Sequence, residues 1–179
     1  MTDTRVLSRP VSATEPPSMA IEIVANDTER TKLAAAYDLV AVNGLSATVA
    51  LTPGSKGSVT VDGRVVADIV QTCVVSLVPV DQHIDETFSV RYVREAEAPP
   101  KPGAEVVIDP DAPDPPEVLT GPAIDVGELA EEYFALAIDP YPRASGAVLP
   151  SEFVEDSSDE RSSPFAALAN LVKPPPAKG

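Results

Sequence analysis

Apolar residues recur with a helical period early in the chain. Leu33, Tyr37 and Val40 fall at positions i, i+4 and i+7, which places them on one face of an α-helix. Asn26 precedes this stretch and can act as an N-cap, because its side chain can accept a hydrogen bond from the first turn. The pattern predicts an amphipathic helix over residues 27–41.

From Leu45 onward the apolar period changes to the alternation that is typical of β-strands. We expect the Asn43-Gly44 pair to close the helix and four strand-like runs to follow it. Asp62-Gly63 stands between two β-branched runs and predicts a two-residue hairpin turn. The next run, 64–78, is long for a single strand. With a short strand before the helix, these runs predict an antiparallel meander of four or five strands over about 20–94.

A second helix is predicted in the latter half of the chain. Asp125 can cap it, and Glu128 stands in its first turn, where a carboxylate interacts favourably with the helix dipole. Leu129 and Leu136 belong to its apolar stripe. We expect this helix, 125–137, to pack on the sheet. The predicted fold class is therefore α+β, a single domain with two or three helices.

Stretches rich in proline, serine and acidic residues separate these elements. Residues 95–122 contain too many prolines for a helix or a central strand, and we expect a mobile acidic loop there. A last apolar segment begins with a Ser-Pro pair and has a stripe of Phe165, Leu168 and Leu171. The predicted organisation comprises a flexible arm (1–18), the α+β domain (19–143), a disordered acidic linker (144–162), a short helix (163–173) and a tail (174–179).

The composition narrows the class of protein. The chain has one cysteine, so no disulfide framework can form within it. The N-terminus lacks the apolar region of a secretory signal, and no run of about 18 apolar residues could span a membrane. We expect a cytoplasmic protein that is not bound to a membrane.

The net charge of −15 is concentrated in one part of the chain. Residues 95–160 carry 17 acidic and 2 basic side chains, a net of −15, whereas the residues before and after them carry −3 and +3. Nucleic-acid affinity depends largely on Lys and Arg, so this stretch disfavours direct RNA contact and DNA binding, and it favours a basic protein partner. Paired carboxylates such as Glu131-Glu132 are expected to be ordinary surface residues.

No arrangement of side chains in the sequence favours an enzyme. Cys73 and His83 flank a predicted turn and form the one nucleophile–base pair that the chain offers. Cys73 also lies among Val and Ile residues, which is typical of an inert cysteine in a core strand. A zinc site needs more Cys or His ligands than these two, so we expect no metal and no cofactor. If the sheet bound RNA, the contacts would be Arg64, Arg91 and Arg94.

Three blocks of the sequence together resemble a known family. Residues 63–73 follow the pattern G-x-V-x-A-x-I-x-Q-x-C, and residues 121–143 contain I-D-x-G-E-L followed by L-A-I-D-P-Y-P-R. An acidic spacer separates the two, and S-P-F-A-A-L-A-N-L follows at 163–171. This order resembles the bacterial YceD family, the large ribosomal RNA subunit accumulation proteins, over most of 20–172. The signature or interaction candidates are Cys73, Asp125, Glu128, Leu129, Leu136, Pro140, Pro142, Phe165, Leu168 and Leu171.

The resemblance implies a role in accumulation or processing of 23S ribosomal RNA, and so in assembly of the large ribosomal subunit, with no catalytic residue. Many members of that family carry Cys-x-x-Cys at the position of Cys73, a pattern that suggests zinc, but here Ser76 takes the second place. We expect a non-enzymatic factor that binds a basic ribosomal protein or assembly factor. The segment 163–173 either docks on that partner or folds back on the sheet. The alternatives are direct RNA binding by the sheet and, more remotely, a cysteine hydrolase.

Overall fold

The computed structural model describes residues 6–94 and 115–149. These residues form two α-helices and seven β-strands, which confirms the α+β class. Those up to Ala144 belong to one compact unit, and 145–149 begin a second unit and form no helix or strand. The elements are β1 (Pro10–Ser12), β2 (Ile21–Val24), α1 (Asp27–Ala36), β3 (Ala41–Pro53), β4 (Val59–Thr72), β5 (Pro79–Val93), β6 (Glu117–Val118), β7 (Ala123–Asp125) and α2 (Val126–Leu136).

Five of the strands form one sheet in the order β2-β3-β4-β5-β6. The pairs from β2 to β5 are antiparallel, which confirms the predicted meander, whereas β6 lies parallel to the end of β5. β1 and β7 form a separate two-stranded antiparallel sheet. The sequence predicted neither β6 nor this second sheet, because both consist of very short strands that join distant parts of the chain.

Both helices contribute to a core on one face of the five-stranded sheet. Leu33 of α1 and Phe134 of α2 are fully buried in one apolar cluster with alternate residues of the long strands. The ring of Tyr37 meets that of Phe134 edge-on, with centroids 5.8 Å apart, a favourable aromatic geometry. Neither helix in the described part of the chain is long and apolar enough to cross a membrane.

The opposite face of the sheet, which we call the open face, carries neither described helix. Side chains alternate between the two faces of a strand. The open face therefore presents the even-numbered residues of β4, from Thr60 to Thr72, and the odd-numbered residues of β5, from Asp81 to Arg91. These positions are exposed or half-buried, whereas most of the residues between them on β4 are buried.

Helix α1 begins as predicted, with Asn26 as its N-cap, but ends earlier. Asp38 adopts a left-handed backbone conformation (φ 54°), which Asp tolerates better than most residues. The N–H of Leu39 then donates to the carbonyl oxygen of Ala34 at 2.9 Å, the long hydrogen bond of a Schellman motif. The prediction that Asn43-Gly44 closes the helix is wrong, because that pair lies in β3.

The Asp62-Gly63 pair does not form a turn, and the predicted hairpin there is wrong. Gly63 lies in the middle of β4, where it pairs with Phe88 of β5. A Cβ at this position would overlap the Phe88 ring, so the packing of the ring, and not a turn, requires glycine. The two connections of the meander lie instead at 54–58 and 73–78.

The residues before β2 include a segment, 6–13, that packs on the domain and that we call the N-terminal strap. Leu7 is fully buried, and its N–H donates to the carboxylate of Glu131 at 2.8 Å. Asp125, the N-cap of α2, accepts further hydrogen bonds from the strap. The expectation of a flexible arm over 1–18 is therefore wrong for the strap, because carboxylates from the α2 region satisfy its backbone.

The acidic loop 95–122 is described from residue 115 onward. Within that part Glu117–Val118 forms β6 beside Tyr92 and Val93, so the expectation of a wholly mobile loop is wrong there. The expectations for 95–114 and for 150–179 lie outside the described residues, and so do the candidates Phe165, Leu168 and Leu171.

Candidate interaction site

Cys73 begins the turn between β4 and β5, residues 73–78, which we call the cysteine turn. The N–H of Cys73 donates to the carbonyl oxygen of Val78 at 2.8 Å, and the N–H of Leu77 donates to that of Cys73 at 3.0 Å. The sulfur is buried and accepts the N–H groups of Val75 (3.4 Å) and Ser76 (3.3 Å). The predicted burial of Cys73 is confirmed, but its predicted place within a strand is wrong, because β4 ends one residue earlier and the sulfur organises the turn.

The cysteine turn also holds the segment that follows α2. The N–H of Ala144 donates to the same sulfur at 3.3 Å, and the N–H of Val74 donates to the carbonyl oxygen of Pro142 at 2.9 Å. On β4, Gln71 Nε2 donates to the carbonyl oxygen of Asp139 at 2.8 Å. The structure thus brings together the first two blocks of the family resemblance, and their contacts are structural.

The surroundings of Cys73 do not make it half of a nucleophile–base pair. The N–H of Ala144 and the hydrogen bonds from Ser76 lower the pKa of the thiol to about 6, against its burial, which raises the pKa. The Nδ1 atom of His83 lies 2.7 Å from Asp68 Oδ1 on the open face. His83 is paired opposite Asp68, about 15 Å along β4 from the cysteine, so the structure does not join the two predicted catalytic groups.

The cysteine turn does not fit the zinc ion that the family resemblance suggests. A tetrahedral site needs four ligands, and Ser76 stands where a second thiolate would be required. The groups that reach the sulfur are backbone N–H donors, which cannot bind a cation. Among residues 6–94 and 115–149, no group of three or more His, Cys, Asp or Glu side chains could hold a metal ion.

A groove of roughly 500 Å³ lies beside the end of β5. It is lined by β5, β6, the connection from β6 to β7, β7 itself and α2, and we call it the acidic groove. Val90, Leu119, Ile124 and Leu129 are among its apolar lining residues, and none of the lining residues is basic. Its aromatic and acidic lining residues are Tyr92, Tyr133, Glu117, Asp125, Glu128 and Glu132.

The packing of α2 on β5 sets the shape of the acidic groove. The rings of Tyr133 and Phe88 stack with centroids 4.4 Å apart and planes at 11°. This contact places one side of α2 against β5. Glu128 and Glu132, which are four residues apart and so share a helix face, line the groove beside it. Glu117 reaches the groove from β6, so carboxylates enter it from two separate elements.

The charged residues that line the acidic groove are all acidic. Burial, together with the neighbouring carboxylates of Glu117 and Glu132, raises the pKa of Tyr92 to about 12. Both glutamates are exposed, and neither forms an ion pair with another residue in the described ranges. A positively charged group that entered the groove would meet the carboxylates of Glu117 and Glu132 next to tyrosine rings.

Asp125 lines the groove but is already engaged in holding the fold. Its Oδ1 accepts the N–H groups of Gly127 and Glu128, both at 3.0 Å, and that of Arg9 at 2.7 Å. Burial raises the pKa of Asp125, but these hydrogen bonds and one from the hydroxyl of Ser8 hold it below its ordinary value. The predicted N-cap is confirmed, and Asp125 fixes α2 beside the groove.

The structure separates the other predicted site residues. Leu129 is buried and lines the groove, whereas Leu136 is 73% exposed, so the predicted apolar stripe through Leu136 is wrong. The buried face of α2 instead includes Phe134, because the helix is rotated to place that ring against α1. Pro142 is buried at the cysteine turn and Pro140 is exposed.

The three arginines that were considered for RNA binding do not form one basic surface. Arg64 lies on the open face and forms an ion pair with Asp85, which raises the pKa of the guanidinium. Arg91 lies on the same face at the far end of β5, opposite Thr60. The side chain of Arg94 lies against the backbone of the connection at 54–58.

The sequence did not reveal the roles of two neighbouring glutamates, Glu131 and Glu132. Glu131 was expected at the surface but is 6% exposed, and it accepts the N–H groups of Val6 and Leu7 and the hydroxyl of Tyr37. Its role had no local signal, because its partners are far away in sequence. A signal did exist for Glu132, whose spacing from Glu128 predicts a shared helix face.

The comparisons with known proteins agree with the resemblance seen in the sequence. Residues 61–172, more than half of the chain, match the family described as Large ribosomal RNA subunit accumulation protein YceD. No curated protein and no solved structure matches the chain. The matched range contains the cysteine turn and every lining residue of the acidic groove.

Proposed function

Because the chain belongs to the YceD family, we propose that it acts in accumulation of 23S ribosomal RNA and assembly of the large ribosomal subunit. We propose that it does so in the cytoplasm, without catalysing a reaction, by binding a basic segment of a ribosomal protein or assembly factor. The observation that carries this proposal is the acidic groove, in which carboxylates from two elements surround tyrosine rings.

The chemistry of the groove favours a protein partner over RNA. Carboxylates repel phosphate, whereas proteins that bind RNA carry Lys and Arg because their affinity depends on these cations. An Arg or Lys side chain in the groove can pair with Glu117 or Glu132 and lie against the ring of Tyr92 or Tyr133. The groove can therefore bind an RNA-binding protein through the same Arg and Lys side chains with which that protein would contact RNA.

The environment of Cys73 supports a role without catalysis. Its sulfur is buried and surrounded by backbone N–H donors, and its contacts hold the turn to the segment after α2. His83 is engaged with Asp68 on the open face. The nucleophile and the base that a cysteine hydrolase would need thus lie apart, and each contacts other residues.

The proposal is tested by charge reversal in cells that carry the gene as their sole copy. The variant Glu117→Lys with Glu132→Lys reverses two exposed groove carboxylates, and the matched control, Glu22→Lys with Asp62→Lys, makes the same change of charge on the open face. We expect the groove variant to reduce the ratio of 23S to small-subunit ribosomal RNA and the control to leave it unchanged. Equal ratios in both variants, with both proteins present at normal levels, would overturn the proposal.

A further inference from the structure

The strand β5 has a free edge next to the acidic groove. On one side β5 pairs with β4 from Pro79 to Tyr92. On its other side it pairs with β6 only at Tyr92 and Val93. No other strand in the described ranges pairs with that side, so among the residues that the structure describes 83–91 have no strand partner there.

The orientation of these backbone groups follows from one hydrogen bond. The carbonyl oxygen of Val93 accepts the N–H of Leu119 at 2.8 Å, so the backbone of Val93 points away from β4. The N–H and C=O of one residue in a strand point to the same side, and the direction alternates along the strand. The register between β4 and β5 is continuous over this range. The odd-numbered residues, among them Thr87 and Ser89, therefore direct their N–H and C=O groups to the free edge.

Both ends of the free edge are closed by other parts of the fold. β6 occupies the edge at Tyr92 and Val93. At the other end the side chain of Gln82 bonds the segment after α2, with Nε2 donating to the carbonyl oxygen of Ala137 at 2.9 Å and Oε1 accepting the N–H of Asp139 at 3.1 Å. The stretch between these two contacts is about 27 Å long, which is within the range of strand lengths in globular proteins.

We propose that the basic partner binds as an added β-strand on the edge of β5 at residues 83–91, with alternate Arg or Lys side chains directed into the acidic groove. This inference rests on the proposed function and specifies how the partner is held. An added strand presents every second side chain on the face of the sheet that carries α2. On that face lie Val90 and Tyr92 of β5, and beside them Glu132 of α2.

A negative charge on the free edge of β5 also favours a basic partner. Glu86 is exposed on β5 within the free stretch, and it forms no ion pair with any residue that the structure describes. An acidic strand would be repelled by Glu86 and by the groove, whereas a basic strand would be attracted to both. Main-chain hydrogen bonds would supply the affinity and the groove would supply the specificity.

The test uses the full chain, a synthetic peptide of alternating arginine and threonine as the probe, and a proline at the edge. Ser89→Pro removes an N–H that points to the free edge and leaves the bonds to β4 intact, and proline is tolerated at such positions. Ser89→Ala is the matched control, because it keeps the N–H. We expect the peptide to bind wild type and Ser89→Ala equally and to bind Ser89→Pro at least about tenfold more weakly. Wild-type binding should also slow hydrogen exchange at the Thr87 and Ser89 amides.

The outcomes distinguish this inference from the proposed function. If Ser89→Pro binds the peptide like wild type while Glu117→Lys with Glu132→Lys does not, a basic segment enters the groove without adding a strand, and only the inference is overturned. If the charge reversal also leaves binding unchanged, both fail. If the edge amides of the free protein are already protected and the peptide does not bind, another part of the chain occupies the edge and the inference is again overturned. A control peptide N-methylated at every residue keeps its charge but has no N–H on either edge, and it should not bind.

Discussion

The carboxylate of Glu131 lies 2.8 Å from the backbone nitrogen of Leu7, a residue 124 positions away in sequence. The same Oε2 atom accepts the N–H of Val6 at 2.9 Å, and Oε1 accepts the hydroxyl of Tyr37. One buried side chain of α2 therefore holds both the N-terminal strap and the residue that caps the end of α1. The arrangement makes Glu131 a structural residue, in contrast to its neighbour Glu132, which lines the acidic groove.

Replacing Glu131 with alanine is expected to lower the free energy of unfolding by about 2–4 kcal/mol, because buried donors on the strap and on Tyr37 would lose their acceptor. Glu132→Ala, one residue further along the same helix, should change it by less than about 0.5 kcal/mol because that side chain is exposed. Urea denaturation of both variants measures the difference. Equal effects would contradict the structural assignment of Glu131.

The sign of the change in stability on replacing Gly127 with alanine tests whether the N-terminal strap packs on α2. In an ordinary helix Gly→Ala stabilises by about 1 kcal/mol, but here a Cβ would overlap the carbonyl oxygen of Leu7. We expect Gly127→Ala to destabilise the protein by about 1–3 kcal/mol. Gly121→Ala is the control, since nothing lies within 4 Å of its Cβ position, and it should be neutral. Thermal denaturation measures both, and a stabilised Gly127→Ala protein would mean that the strap does not pack on α2.

The cysteine turn predicts a pH dependence of stability. The pKa of Cys73 falls from an ordinary value of 9.0 to about 6 in the folded chain, so folding favours the thiolate. The contribution of Cys73 to stability is then fully present above pH 9 and is lost as the pH falls towards 6. The stability difference between wild type and Cys73→Ala should accordingly grow as the pH rises through this window. Urea denaturation at several pH values tests this, and a constant difference would contradict it.

Tyr92 reports the electrostatic potential of the acidic groove. Burial raises its pKa to about 12, with contributions from Glu117 and Glu132. Replacing both glutamates with glutamine should lower the pKa of Tyr92 and leave that of Tyr37 unchanged, because the pKa of Tyr37 is raised by burial and by Glu131. An NMR titration of the tyrosine rings resolves the two groups. An unshifted Tyr92 would show that these carboxylates do not act on the groove.

Features set by neighbouring residues could be predicted from the sequence, and features set by distant ones could not. The caps Asn26 and Asp125 were predicted, because their partners lie within the next few residues. Gly63 was misread as a turn residue because the ring that requires glycine, Phe88, belongs to another strand. The burial of Glu131 depends in the same way on the strap at the far end of the chain.

The candidate site was likewise predictable only in part from the sequence. The charge pattern indicated a basic protein partner and an acidic surface between residues 95 and 160. It did not indicate which carboxylates converge, because Glu117 reaches the groove through the short strand β6, in a proline-rich stretch with no strand signal. β6 forms only because it pairs with the end of β5, and the residues around Glu117 give no local sign of that pairing.

The central claim is that the acidic groove binds a basic protein segment during assembly of the large ribosomal subunit. The most direct test is photo-crosslinking in growing cells from a reactive amino acid placed at Thr120, which lies exposed in the groove, with Thr48 on the open face as the control position. We expect a cross-link from Thr120 alone, mapped to an Arg- or Lys-rich segment of one ribosomal protein or assembly factor and lost in Glu117→Lys with Glu132→Lys. Cross-links to ribosomal RNA, or equal products from both positions, would contradict it.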